Sequence, residues 1–208
     1  MLAAASCAPA TVPLTQAVTP SSSLTIRLQH GSDTEKRTSL QLDRLLAQHD
    51  LSPWLFTRSM VIDDDAIPHS HPVLTLHTRH LLDDTLLIST FIHEQSHWCF
   101  QQNQDATAAA VTELEALVPG LPVGYPDSAA SHASSYEHLL VIAFEWRGLQ
   151  GQVGELQARQ AMEFWATDHY RAVYKAVLSD PRKIWQVLDK HHFRLPKVGS
   201  DGPGCRTP

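Results

Sequence analysis

His93 and His97 stand four residues apart in the run His93-Glu94-Gln95-Ser96-His97. In a helix that spacing puts both imidazoles on one face, one turn apart. Two ring nitrogens about 2 Å from one Zn²⁺ fit that geometry. Glu94 follows the first histidine, about 100° round the helix. From there it can reach a metal-bound water without being a ligand. The run is the H-E-x-x-H pattern, two ligands and a general base. Zinc lowers the pKa of its bound water to about 7, and Glu94 would take the proton as that water attacks a carbonyl, then pass it to the leaving group. Ordinary hydrogen-bonded histidines are the competing interpretation. The apolar helix around the run favours the metal, because two histidines and a glutamate need partners when buried.

A catalytic zinc needs a third protein ligand. The segment from Ser135 to Gly148 (SYEHLLVIAFEWRG) supplies candidates. Leu139 to Phe144 is wholly apolar, flanked by Glu137 and His138 on one side and Glu145 on the other. His138 and Glu145 are seven apart and so share a helix face. In the favoured arrangement His138 binds zinc and Glu145 orients a ligand histidine from behind. In the alternative, Glu145 or Glu137 is the ligand. Imidazole suits zinc, which favours His138.

Other side chains are weighed against blander roles. His69, His71, His77 and His80 could form a second metal site, although such residues more often line a loop near a cleft. Tyr170 and Tyr174 are one turn apart, and a tyrosine hydroxyl could stabilise an oxyanion beside the zinc. Ordinary packing with a polar tip is the simpler role. His169 shares a helical stripe with Met162, Trp165 and Val173, which reads as a core histidine or a group supporting the site, and with Tyr170 it is a candidate oxyanion stabiliser. Cys99 reads as a small buried hydrophobe. Cys7, Cys99 and Cys205 are odd in number and scattered, suggesting neither a disulfide framework nor a cysteine zinc site.

The elements that must position these residues follow from the pattern. Residues 1–23 are rich in Ala, Thr, Pro and Ser and read as a flexible tail. Short strands are expected at Leu24–Leu28, Trp54–Ile62 and Val73–Thr78. The last alternates apolar and polar residues, so it reads as a half-exposed edge strand to which a substrate peptide could add. A short amphipathic helix covers Thr34–His49. Asp83 and Asp84 cap a helix running to Phe100, apolar on most sides and therefore central. Further helices are expected at about Thr107–Val118, Ser135–Gly148, Glu155–Leu178 and Arg182–His191, the last capped by Asp180-Pro181. Residues 196–208 read as a second flexible tail. Strands first and helices later make a single α+β domain over 24–195.

With 208 residues the chain is long enough for a sizeable core. Its 13 histidines raise the prior for a metal site. The formal net charge of -6 disfavours nucleic acid, which needs a basic surface. No apolar run reaches transmembrane length, so no integral membrane segment is expected. The start has no basic n-region, which leans towards the cytoplasm. Ala4-Ala5-Ser6-Cys7 resembles a lipoprotein processing box and would be one if the true start lies upstream. No G-x-S-x-G elbow, phosphate loop or C-x-x-C competes with the histidine motif.

HEQSHW from 93, YEHLLVIAFEW from 136 and DHYRAVYKAVLSD from 168 resemble a family of small bacterial zincin-like proteins of unestablished function. The resemblance spans roughly residues 70–192. It implies a zincin-like fold with a small early sheet and a helical bundle carrying the motif helix. The two large zincin subclasses fit less well. Thermolysin-like zincins take a third ligand from Glu-x-x-x-Asp, but Glu137 is followed four on by Val141 and Glu145 by Leu149. Metzincins place a glycine and a histidine soon after the motif, where this chain has WCFQQN. The resulting expectation is a zinc hydrolase acting on a peptide or another amide, metallopeptidase-like, with His93, His97 and His138 on the metal and Glu94 as base. A zinc-binding structural or recognition domain without turnover is the alternative, and a metal-free helical interaction protein a third. Substrate and oligomeric state carry no readable code.

Overall fold

β1 (Thr25–Leu28) passes through α1 (Asp33–Gln48) to β2 (Ser59–Ile62). The turn into α1 is closed by one carboxylate. Ser32 and Glu35 form a reciprocal capping box, and the fully buried Glu35 also accepts backbone N–H bonds from His30, Gly31 and Asp64. These positions come from a computed structural model, which describes residues 24–195 and Cys205. The tails expected at 1–23 and 196–208 lie outside the described residues, Cys205 excepted, as does the Cys7 segment.

β3 (Leu74–Leu76) completes a sheet in the order β1-β2-β3, and both pairings are parallel. A parallel pair obliges its connection to run back along the strands. From β2 to β3 that return is residues 63–73. On the way His69 and Thr75 exchange both backbone hydrogen bonds, 3.1 and 2.8 Å. Two sequence expectations change here. The strand at Val73–Thr78 is shorter than expected and buried throughout rather than half-exposed. Its alternation misleads because the Thr75 hydroxyl is satisfied by the Val73 carbonyl, 3.1 Å away, and needs no water. Its outer edge is also taken at Thr75 by the chain's own His69, so a peptide cannot pair there.

Helices make up the rest: α2 (Asp84–Gln101), α3 (Gln104–Leu117), α4 (His132–Val153), α5 (Glu155–Asp168), α6 (Arg171–Ser179) and α7 (Pro181–Lys190). The architecture is therefore α+β, a small parallel sheet followed by a helical bundle. Asp83 caps α2 by accepting the Leu86 N–H at 3.0 Å, and Asp180 caps α7, both as the sequence indicates. α2 and α4 are the central pair: the apolar run Leu139–Phe144 of α4 is wholly buried, as are 13 of the 18 residues of α2. No helix among the described residues is long and apolar enough to cross a membrane.

Three further expectations are corrected. α4 starts before Ser135 and runs past Gly148, because Gly148 is where Trp54 packs against the helix rather than where it stops. The helix expected over Glu155–Leu178 is two. His169 is extended and Tyr170 is left-handed (φ 48°, ψ 34°). The break is held by tertiary bonds: the Arg171 and Ala172 N–H groups donate to the Pro126 and Asp127 carbonyls at 3.2 and 2.9 Å, and the Arg171 guanidinium meets Asp127. Finally, Cys99 is not a free hydrophobe. It is bonded to Cys205, with a Cα–Cα distance of 6.0 Å across 106 residues of sequence. Fold closure brings together two cysteines whose spacing carries no pairing signal.

A Cβ on Gly148 would lie 2.4 Å from two ring atoms of buried Trp54 and 3.4 Å from Ile92. The Gly148→Ala variant should therefore lose about 1–3 kcal/mol by overpacking, despite alanine's better helix propensity. Urea denaturation is the measurement, and an unchanged or raised midpoint would show that Trp54 yields freely.

Candidate metal centre

α2 and α4 bring three imidazoles together. His93 and His97 come from α2 and His138 from the first half of α4, and one ligand nitrogen of each lies within 4.8 Å of the others. Ring centroids are 5.1 Å apart for His93–His97, 4.9 Å for His97–His138 and 5.7 Å for His93–His138. His93 and His138 are buried and His97 nearly so.

Two of the rings are held from behind by a hydrogen bond at Nδ1. His93 Nδ1 donates to Glu145 Oε2 at 2.8 Å. His138 Nδ1 donates to the Ser134 carbonyl, one turn back on α4, at 2.7 Å. His97 Nδ1 sits 3.8 Å from Glu137 Oε1, an ion-pair distance rather than a hydrogen bond. These contacts engage Nδ1 of His93 and His138 and leave their Nε2 atoms for a ligand. Metal-binding histidines are oriented in this way by acceptors behind the ring. Burial, reinforced by His97, keeps His93 well below the usual imidazole range. It pushes His138 down to about 3, with His97 and His93 adding to the effect. Both rings are thus neutral and able to coordinate at neutral pH.

Glu145 is fully buried at the centre of α4. Besides His93 it accepts from the Ser89 hydroxyl and from the Tyr174 hydroxyl at 3.1 Å. Ser89 is itself fixed by Trp165 Nε1 at 2.9 Å. Three converging donors suit an acceptor-only carboxylate, although burial raises the Glu145 pKa to about 8. A cation beyond His93 would offset that cost. Glu145 is thus placed as the support of His93, and Glu137 stands beside His97 rather than among the converging nitrogens.

Glu94 is different. It is 6% exposed, lines the same cavity as the three histidines, and makes no hydrogen bond or ion pair among the described residues. Burial, with the nearby Glu145 charge, raises its pKa to about 7 against the opposing effect of His97. A buried carboxylate without a partner is costly. Such groups concentrate at functional sites.

The cavity has a volume of about 680 Å³. Tyr170 and His169 line it. The Tyr170 ring lies 4.3 Å from His138, and the left-handed break between α5 and α6 is what puts it there. His169 is not in the histidine cluster. Its Nδ1 donates to Asp168 at 2.8 Å, and Asp168 also takes both terminal nitrogens of Arg79. Tyr174 is turned away from an oxyanion role because its hydroxyl is engaged by Glu145. His69, His77 and His80 line the cavity wall without converging, and His71 stacks on Trp98 at 4.3 Å, so these four form no metal-holding group among the described residues.

Sequence reasoning missed Ser89 and Trp165 as supports of Glu145. Ser89 was legible in principle, four residues before His93 on the same face of α2. A second gathering, His30 with Glu35, Asp63 and Asp64, also has metal-like spacing. Its buried member, Glu35, is already saturated by backbone N–H groups, so this gathering is a structural cap.

No family model matches this chain, and neither a curated protein nor a solved structure is similar to it.

The geometry puts His138 in the histidine cluster and Glu145 behind His93. His138→Ala should therefore abolish zinc binding at micromolar zinc, and Glu137→Ala should leave it nearly intact. Glu145→Gln should still take one zinc per chain at saturation, with affinity about 10–100-fold weaker. Competition with a chromogenic chelator measures all three. Complete loss in Glu145→Gln would make Glu145 a ligand.

Proposed function

We propose that this chain is a zinc-dependent hydrolase of zincin type, metallopeptidase-like, that cleaves an amide bond. The observation that carries the reading is Glu94, a buried carboxylate with no partner among the described residues, beside three converging imidazoles in one cavity. A structural zinc site closes with four protein ligands and has no use for a base. Three converging imidazoles beside a buried carboxylate match a catalytic site instead. The donor set, all imidazole, suits zinc.

Zinc, when bound, supplies Lewis acidity towards the attacking water and the substrate carbonyl. The chain's own residues do the rest. Glu94 takes the proton of the attacking water and returns it to the leaving nitrogen, a role for which a pKa near neutrality is well placed. Glu145 holds the Nδ1 proton of His93, so that Nε2 keeps its lone pair for the metal. The Tyr170 hydroxyl donates to the oxygen on which negative charge develops. His169, steadied by Asp168, lies on the same wall for the same purpose. The cavity limits the water that reaches the reacting atoms. Support for the zincin-like family comes from the three segments that resemble it and from a small sheet preceding the motif helix.

Two outcomes test the reading. Glu94→Gln should keep its zinc and lose turnover of a quenched peptide library by at least about 10²-fold; loss of metal with turnover would make Glu94 a ligand and sink the base assignment. Stripping zinc with a chelator should lower the melting temperature of the wild type, because a ligand bound only by the native state stabilises it, and His93→Ala should show no such shift.

A further inference from the structure

The rim of the cavity bears on which amide enters it, an inference that rests on the hydrolase reading. Two segments well separated in the sequence form that rim. One is the return from β2 to β3, carrying Asp65 to Ser70; the other, carrying Tyr125, lies between α3 and α4. Both place a large apolar side chain on the cavity and in water: Ile67 is 83% exposed and Tyr125 78%. Trp165 and Tyr170 continue the apolar surface inward. Among the described lining residues Arg79 is the one Lys or Arg side chain, and both its terminal nitrogens are taken by Asp168 at 3.1 and 2.6 Å. Asp65 stands at the rim with its carboxylate exposed to solvent, 4.0 Å from His30 Nε2. An anionic ligand therefore finds no available cation along the walls, while an apolar group would cover surface that now faces water.

We propose that Ile67 and Tyr125 are the two jaws of a subsite for a large aliphatic or aromatic side chain next to the scissile amide, and that substrates with a carboxylate at that position are disfavoured. The test uses zinc-loaded full chain and three hydroxamic acids, whose common head group chelates zinc: acetohydroxamic acid, 3-phenylpropanohydroxamic acid and succinic monohydroxamic acid. In the wild type the phenyl compound should bind about tenfold tighter than acetohydroxamic acid, as expected for one buried aromatic group, and the succinic compound more weakly than either. In the Ile67→Ser/Tyr125→Ser variant the phenyl advantage should vanish while acetohydroxamic acid binds unchanged. Equal affinity of the phenyl and acetyl compounds for the wild type overturns the subsite and leaves the metal reading standing. If no hydroxamic acid binds, the metal reading falls and takes the subsite with it.

The Cys99–Cys205 bond carries a second inference, independent of any chemistry at the metal. Cys205 is seated by more than its sulfur: its carbonyl accepts the Arg194 N–H at 2.8 Å, and Asn103 Nδ2 reaches its Sγ at 3.5 Å. Both cysteines are buried, at 0% and 3% exposure, beside Phe100 and Phe193. Cys99 is also two residues beyond His97 on the helix that carries the motif. A buried bond that closes 106 residues and braces that helix is a permanent structural element rather than a transient redox contact. Such bonds form and persist in oxidising compartments.

We infer that the chain matures and works in an oxidising compartment. There the two thiols are oxidised to the disulfide, and a protein disulfide donor is reduced to its dithiol. Cells that make the protein naturally are to be quenched in acid, denatured and treated with a maleimide without reductant, and the Cys99 and Cys205 peptides analysed by mass. Both should be unlabelled, and both should take label after reduction. Labelled Cys99 and Cys205 before reduction overturn the inference.

Discussion

Three imidazoles packed against one another in the interior impose the constraint on which the rest of this structure depends. They cannot be protonated together, and each must present the same ring nitrogen to the same point. That requires a proton on Nδ1 and an acceptor behind it. α2 and α4 meet so that Glu145 stands behind His93, the Ser134 carbonyl behind His138 and Glu137 beside His97. The most demanding of these acceptors is Glu145, a fully buried carboxylate with no lysine or arginine on it among the described residues. Ser89, Tyr174 and, one step further out, Trp165 hold it. Four helices, α2, α4, α5 and α6, thus contribute to the orientation of one imidazole.

The same polar network explains where the chain departs from regularity. A continuous helix over 155–178 would satisfy its own backbone, and no proline or glycine interrupts it. The chain breaks at His169–Tyr170 and puts a tyrosine in the left-handed region, a conformation costing about 1–3 kcal/mol. The compensation is external: the carbonyls of Pro126 and Asp127 take the N–H groups freed at the start of α6, and Arg171 pairs with Asp127. What the break achieves is placement. Tyr170 lies against His138, and His169 lies on the cavity wall rather than in the stripe of one long helix. Strain kept at a cavity beside a histidine cluster is the pattern of a site under functional constraint.

The sheet contributes by topology more than by surface. Because β2 and β3 are parallel, their connection must travel back, and its outward arc becomes the rim that carries Asp65 and Ile67. The inward contact of that arc, His69 on Thr75, closes the outer edge of β3 at that residue. The opening to the histidine cluster therefore lies between the arc and the segment carrying Tyr125, instead of along a free strand.

Much of this was legible in the residues. The four-residue spacing of His93 and His97, the acidic caps at Asp83 and Asp180, and the apolar run 139–144 flanked by polar residues are local patterns. Local hydrogen bonding and helical periodicity act within a few residues, so such patterns determined the α+β class, most helices and the grouping of His93, Glu94 and His97. The seven-residue step from His138 to Glu145 placed both on one face of α4. Packing decided the rest. The parallel order of three short strands depends on pairings between segments tens of residues apart. The break at Tyr170 depends on carbonyls more than 40 residues away in the chain, and the Cys99–Cys205 bond on a closure spanning 106 residues. None of these leaves a periodic trace, because the energies that decide them come from contacts formed only once the chain has folded.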